Sequence, residues 1–270
     1  MFSRLLAPAT FIVLWSGAFI AVRAGLPYVS PLTFLASRFA VASLVLLVAS
    51  LAWRRWRTSW RQAAPLWPHL ALSGILINGA YLSAGYLAMT QIKGAMMALV
   101  GALAPVVTAL ISTRLLGERI RPTQWLGFGL GFAGVVLVVG VEPQALELSA
   151  GLGWALVSML CIVAGTLYFN KHCRQAPLVP ANCLQLGAAA LFCWLLVAAF
   201  EQPRVEPSVP ALLSFAYLTG AVSLGGMAIY LYMLGRGTAG RVIANLYLTP
   251  GVAALIGWLV LGETFSPKAL

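Results

Sequence analysis

LAPVVTALISTRLLGERIRP, residues 103–122, and LTPGVAALIGWLVLGETFSP, residues 248–267, are one pattern written twice. At a constant offset of 145 residues, ten of the twenty positions agree: Leu103, Pro105, Val107, Ala109, Leu110, Ile111, Leu116, Gly117, Glu118 and Pro122 meet Leu248, Pro250, Val252, Ala254, Leu255, Ile256, Leu261, Gly262, Glu263 and Pro267. Apolar coincidences are cheap between two greasy segments. Two prolines and a Gly-Glu pair at identical spacing are not, and Pro31-Leu32 returning as Pro177-Leu178 extends the echo. The chain reads as a duplicated unit.

Composition names the solvent. Of 270 residues, 61% are hydrophobic and 9% charged, more apolar surface than a soluble domain can hide in one core. A transmembrane helix needs roughly 20 mainly apolar residues. Nine such runs follow one another, near 5–24, 32–51, 68–89, 94–116, 125–141, 150–169, 179–200, 210–234 and 242–261. The loops between them are too short to fold into a module of their own. Five spans per unit is an odd number, so the second copy enters the bilayer with opposite orientation, and inverted repeats of this kind place a site near the midplane between them. The expected fold is an all-α membrane protein of ten transmembrane helices, nine complete in this sequence, in two inverted five-helix repeats, residues 1–141 and 150–270. The first unit follows Pro122 with a fifth helix, whereas only three residues follow Pro267, so symmetry predicts a tenth helix beyond them.

The net charge of +11 is distributed as a membrane protein requires. With the amino terminus inside, Arg4, Arg54, Arg55, Arg57, Arg61, Arg114, Arg119, Arg121, Lys171, Arg174, Arg236 and Arg241 fall on the inner side, and only Arg23, Lys93, Arg204 and Lys268 on the outer. Tryptophan mixed with arginine at residues 53–61, WRRWRTSWR, reads as an anchor beside anionic lipid rather than as a nucleic-acid surface. The first run is longer than the core of a signal peptide and reads as a span. The four cysteines have no metal-ligand spacing, and no cofactor or metal is expected.

Leu14-Trp15-Ser16-Gly17 in the first run, Arg38 in the second, and the Pro105 to Gly117-Glu118 stretch with its copy at Pro250 to Gly262-Glu263 resemble the drug/metabolite transporter superfamily, specifically its EamA-type exporters. The resemblance covers nearly the whole chain. It implies a bacterial inner-membrane exporter of small metabolites, amino acids and aromatic amino acids among them. The second unit departs from the first at its opening, with Val163-Ala164-Gly165 where Trp15-Ser16-Gly17 stands. An importer or a drug exporter of the same fold, and a membrane sensor or assembly subunit, are the alternatives.

Intramembrane charge marks function by default. The six acids are all glutamates, at span ends or in loops, and the two histidines lie near helix ends, so no midplane proton relay is available and passage down a substrate gradient is favoured. Arg38 alone is charged well inside a span; it serves either structure or the pairing of an anion. Asn78, Tyr81 and Gly85 share one face of the third run, and Asn245 and Thr249 one face of the ninth. With Trp15, Tyr86, Tyr230 and Tyr247 they are the candidate cavity lining, amides and hydroxyls offering hydrogen bonds and rings offering walls. Pro105 and Pro250 each remove a helical hydrogen bond and are candidate gating kinks. A membrane enzyme would need converging acids, bases or metal ligands, which the spans lack. Residues 129–134 spell GxGxxG inside an apolar run with no preceding strand; Gly127 and Gly131 there read as close helix packing, within the chain or in a homodimer.

Overall fold

Hydrocarbon offers a backbone amide no water to bond, so a chain this apolar must satisfy its amides within helices. The computed structural model describes residues 2–52, 56–92, 94–117, 120–139 and 149–261. Glu118, Arg119, Glu142, Glu147, Gly262, Glu263, Pro267, Lys268, Arg54, Arg55 and Lys93 lie outside the described residues. Among those described, nine helices follow in order: α1 (Phe2–Gly25), α2 (Pro31–Leu51), α3 (Trp56–Met89), α4 (Gly94–Gly101 and Ala104–Leu115), α5 (Pro122–Val139), α6 (Ala150–His172), α7 (Leu178–Phe200), α8 (Val209–Arg236) and α9 (Ala239–Ile243, Ala244–Leu248 and Thr249–Leu261). Among the described residues, seven helices are long and apolar enough to cross a membrane. The third is longer than its apolar run, because the amphipathic stretch Trp56–Ala63 leads into it; Trp60 Nε1 donates to Ser50 Oγ at 3.0 Å and fixes that stretch against α2.

Prolines sit where a missing N–H costs nothing, in the first turns of α2, α5 and α8. Ser149 and Ser208 cap α6 and α8, accepting from the amides of Leu152 and Ala211 at 3.2 and 3.3 Å. Gly117, at φ 65°, follows the end of α4 in a left-handed conformation that other residues avoid, which accounts for the glycine of the first Gly-Glu pair.

The duplication is visible in the packing. Helix α1 lies against α8 and α9, and its counterpart α6 lies against α3 and α4. Helices α2 and α7 pack on each other, as do α4 and α9, pairs that map onto themselves when the halves are exchanged. Between membrane helices the apolar side chain gains little over lipid, and close approach at small residues replaces it. A Cβ on Gly17 of α1 would overlap the Tyr217 hydroxyl of α8, which donates to the Leu14 carbonyl at 3.2 Å. In the other half, a Cβ on Gly165 of α6 would come within 2.6 Å of Ile77 Cγ1 on α3. Both partner segments are π-helical, Ile75–Ala80 in α3 and Tyr217–Gly226 in α8, and at the 145-residue offset the shorter falls inside the longer.

On the face opposite the amino terminus, the α1–α2 and α7–α8 loops are strapped together. Ser30 N donates to the Arg204 carbonyl and Glu206 N to the Tyr28 carbonyl, around a bridge between Val29 and Val205. The Glu201 carboxylate accepts from the amides of Leu32 and Thr33 at 2.9 and 2.7 Å and from Thr33 Oγ1 at 2.7 Å, so an acid from one half caps a helix of the other.

Candidate functional site

Trp15, Ala18, Phe19 and Val22 recur at i, i+3, i+4 and i+7 and form one face of α1. That face closes a cavity of about 90 Å³ with Arg38 of α2, Tyr81, Gly85, Tyr86 and Met89 of α3, Met97 of α4 and Val222 of α8. Trp15 is held from behind by rings: its centroid lies 5.1 Å from Phe11 and 6.4 Å from Tyr230, while Phe11 and Tyr230 stack at 5.5 Å. The Tyr230 hydroxyl shares 2.6 Å with Thr166 Oγ1, which donates to the Ile162 carbonyl. Tryptophan cannot swing here without displacing the stack.

Arg38 is the charged member. Its side chain is buried, 3% exposed, with the guanidinium carbon 4.7 Å over the Phe39 ring. Its Nε has no hydrogen-bond partner among the described residues, and the titratable groups acting on it are Tyr86 and Cys193, not a carboxylate. The Tyr86 hydroxyl, also buried, is unpartnered too. Tyr81 is half-buried, and its carbonyl takes the Ser158 hydroxyl of α6 at 2.8 Å.

The structure thus brings Trp15, Arg38, Tyr81 and Tyr86 together and puts the other candidates elsewhere. Asn78 is in the π-helical segment of α3, buried, with Nδ2 unpartnered, and is not in the cavity wall. Tyr230 backs Trp15. Asn245 donates to the Val242 carbonyl at 2.9 Å, and the Tyr247 ring lies on Gly131 of α5, whose Cβ would stand 2.6 Å from it. Gly131 therefore serves packing within the chain, while Gly127, Gly129 and Gly134 face nothing within 4 Å. Thr249 Oγ1 donates to the Leu246 carbonyl at 2.7 Å, the same acceptor that the Thr249 N–H takes at the end of the 3₁₀ turn. Ser16 of α1 donates to the Thr249 carbonyl at 3.1 Å. The Trp15-Ser16-Gly17 motif is accounted for residue by residue: cavity wall, bond to the α9 break, and close approach of α8.

Both proline helices depart from regular α geometry just before the proline. Helix α4 is interrupted at Ala102 and Leu103, with Pro105 in the first turn of its second half. Helix α9 tightens to a 3₁₀ turn over Ala244–Leu248 before Pro250. Phe19, Met89, Met97 and Val222 were not among the candidates; only Phe19, four residues after Trp15, had a signal in spacing.

A second cavity, about 660 Å³, opens at the amino-terminal face beside Lys171, His172, Arg174 and Thr238. At its edge the His69 and His172 rings stack at 4.9 Å, and His69 Nδ1 shares 2.6 Å with the Tyr168 hydroxyl. Among the described residues no three His, Cys, Asp or Glu side chains gather as a metal site.

The EamA-like transporter family matches the chain over residues 5–140 and 149–270. A probable terminal-alkyne amino-acid exporter of Streptantibioticus cattleyicolor is 28% identical over 264 residues, 96% of this chain and 86% of the relative. The uncharacterized inner membrane transporter YedA of Escherichia coli K12 is 26% identical over 94% of this chain and 81% of its own length. A solved crystal structure superposes with a TM-score of 0.80 at 24% identity, covering 100% of this chain and 92% of the other, and so shares the fold.

Proposed function

Because this chain belongs to the EamA-like transporter family, we propose that it exports amino acids or similar small metabolites across a bacterial inner membrane, with its amino terminus in the cytoplasm. Residues 1–141 and 150–270 act as the two repeats that rock about the cavity and expose it alternately to either side. The breaks at Pro105 and Pro250 serve as gates, since a helix already interrupted bends at low cost. One observation carries the cargo class: a cavity in which a lone buried cation, Arg38, meets the aromatic surfaces of Trp15, Tyr81 and Tyr86. A small amphiphile with an anionic end and an apolar body fits that chemistry. The amino-acid exporter of S. cattleyicolor supports the reading at the level of a relative's name.

Counterflow tests it. Liposomes containing the purified full-length protein are loaded with one unlabelled amino acid at a time and given a trace of the same labelled compound. Accumulation with at least one of them, lost in Trp15→Ala and Tyr81→Ala at equal incorporation, is the expected result. Silence across the panel from folded, inserted protein rejects amino-acid transport, and accumulation that depends on a proton gradient rather than on cargo gradient rejects facilitated passage.

A further inference from the structure

A guanidinium in the hydrocarbon region is costly unless paired or hydrated. Arg38 is buried, its Nε is unpartnered, and among the described residues no carboxylate lies within ion-pair distance of it. The Tyr86 hydroxyl, 6% exposed as a residue, is likewise without a partner, and both residues line the same cavity. Two buried donors, one of them charged, with nothing to donate to, define a place for an oxyanion. The rest of the wall holds no acid: Trp15, Phe19, Met89 and Met97 are apolar or aromatic. An ammonium finds no carboxylate there to pair with.

We propose that the cavity recognises its cargo by one carboxylate, held between Arg38 Nε and the Tyr86 hydroxyl, and by a short apolar tail, the amino group of an amino acid being dispensable. This rests on the cavity being the cargo site of the proposed exporter. The volume of about 90 Å³ limits the tail, since pockets for drug-sized ligands run to roughly 300–1,000 Å³. The ligand class is the small monocarboxylate, aliphatic acids and apolar amino acids alike, rather than amines, dications or bulky drugs.

The test separates recognition from transport. Purified full-length protein in detergent is titrated with leucine, 4-methylpentanoate, leucinamide and 3-methylbutylamine, and protection against thermal unfolding gives an apparent affinity for each. Leucine and 4-methylpentanoate are expected to protect within a few-fold of each other, and leucinamide and the amine not to protect. Tyr86→Phe is expected to weaken 4-methylpentanoate about tenfold, as loss of one bond to a charged group does. Arg38→Gln is expected to abolish protection; if that variant does not fold, Tyr86→Phe and Arg38→Lys carry the test, the latter weakening binding because a point charge replaces the planar fork. Equal protection by amine and acid, protection by leucine but not 4-methylpentanoate, no protection by any of the four, or undiminished binding in Tyr86→Phe would each overturn the proposal. Carboxylate-selective protection without counterflow would leave the site standing and sink the exporter.

Discussion

At the scale of single residues, glycines decide which helices touch. Gly17→Ala forces a methyl group onto the Tyr217 hydroxyl, a flexible obstacle, and is expected to cost about 1–3 kcal/mol as overpacking does. Adding Tyr217→Phe removes the obstructing oxygen, and the double variant should recover most of the lost melting temperature in detergent. Gly74→Ala is a different case, because its Cβ would overlap backbone atoms of Gln185, which cannot turn aside. That variant is expected to lose folded protein altogether, read as the monodisperse fraction on gel filtration. Neither partner was legible in the sequence, which states that a glycine is present and not what stands opposite it. Trp15, Arg38, Tyr81 and Tyr86 were legible because an aromatic or charged side chain inside an apolar run has few reasons to be there. Asn78 was singled out for sharing a helical face with Tyr81, yet lies outside the cavity wall, since an α-helical wheel misplaces residues in a π-helical stretch.

At the scale of elements, the prolines were readable and the compensation around them was not. The turn before Pro250 closes on the Leu246 carbonyl, which accepts from both the N–H and the hydroxyl of Thr249. Thr249→Val should therefore destabilise by about 1 kcal/mol in the native background, the net worth of one such bond. Thermal unfolding in detergent measures the loss, and unchanged stability in Thr249→Val would refute the contribution of this bond. If the break is a gate, Pro250→Ala alone should keep or raise stability while slowing counterflow. The π-helical segments left no trace in composition or periodicity: one extra residue per turn alters no hydropathy window.

At the scale of the whole molecule, nine apolar runs became nine helices among the described residues, because segment length and apolarity are set by the bilayer and stand in the sequence directly. Orientation is a matter of counting Lys and Arg, and it has a direct test. A cysteine at exposed Gln202, in the strap, should react with an impermeant maleimide in intact cells, and one at exposed Gln175, on the amino-terminal face, only after permeabilisation. Three native cysteines, Cys173, Cys183 and Cys193, are buried, and burial pushes the loop thiol of Cys173 up to about 11, keeping it protonated and unreactive near neutral pH; the half-buried Cys161, inside α6, is replaced by alanine for this test. Reversed labelling would overturn the orientation assigned from the Lys and Arg count without altering the fold.

The matched π-helical segments also bear on ancestry. A π turn is what remains in a helix when a residue is inserted and the fold survives, and each half carries one at the same depth, each meeting a glycine of the other half. Two independent insertions landing on equivalent sites are less economical than one, made in the single five-helix ancestor before its gene was copied.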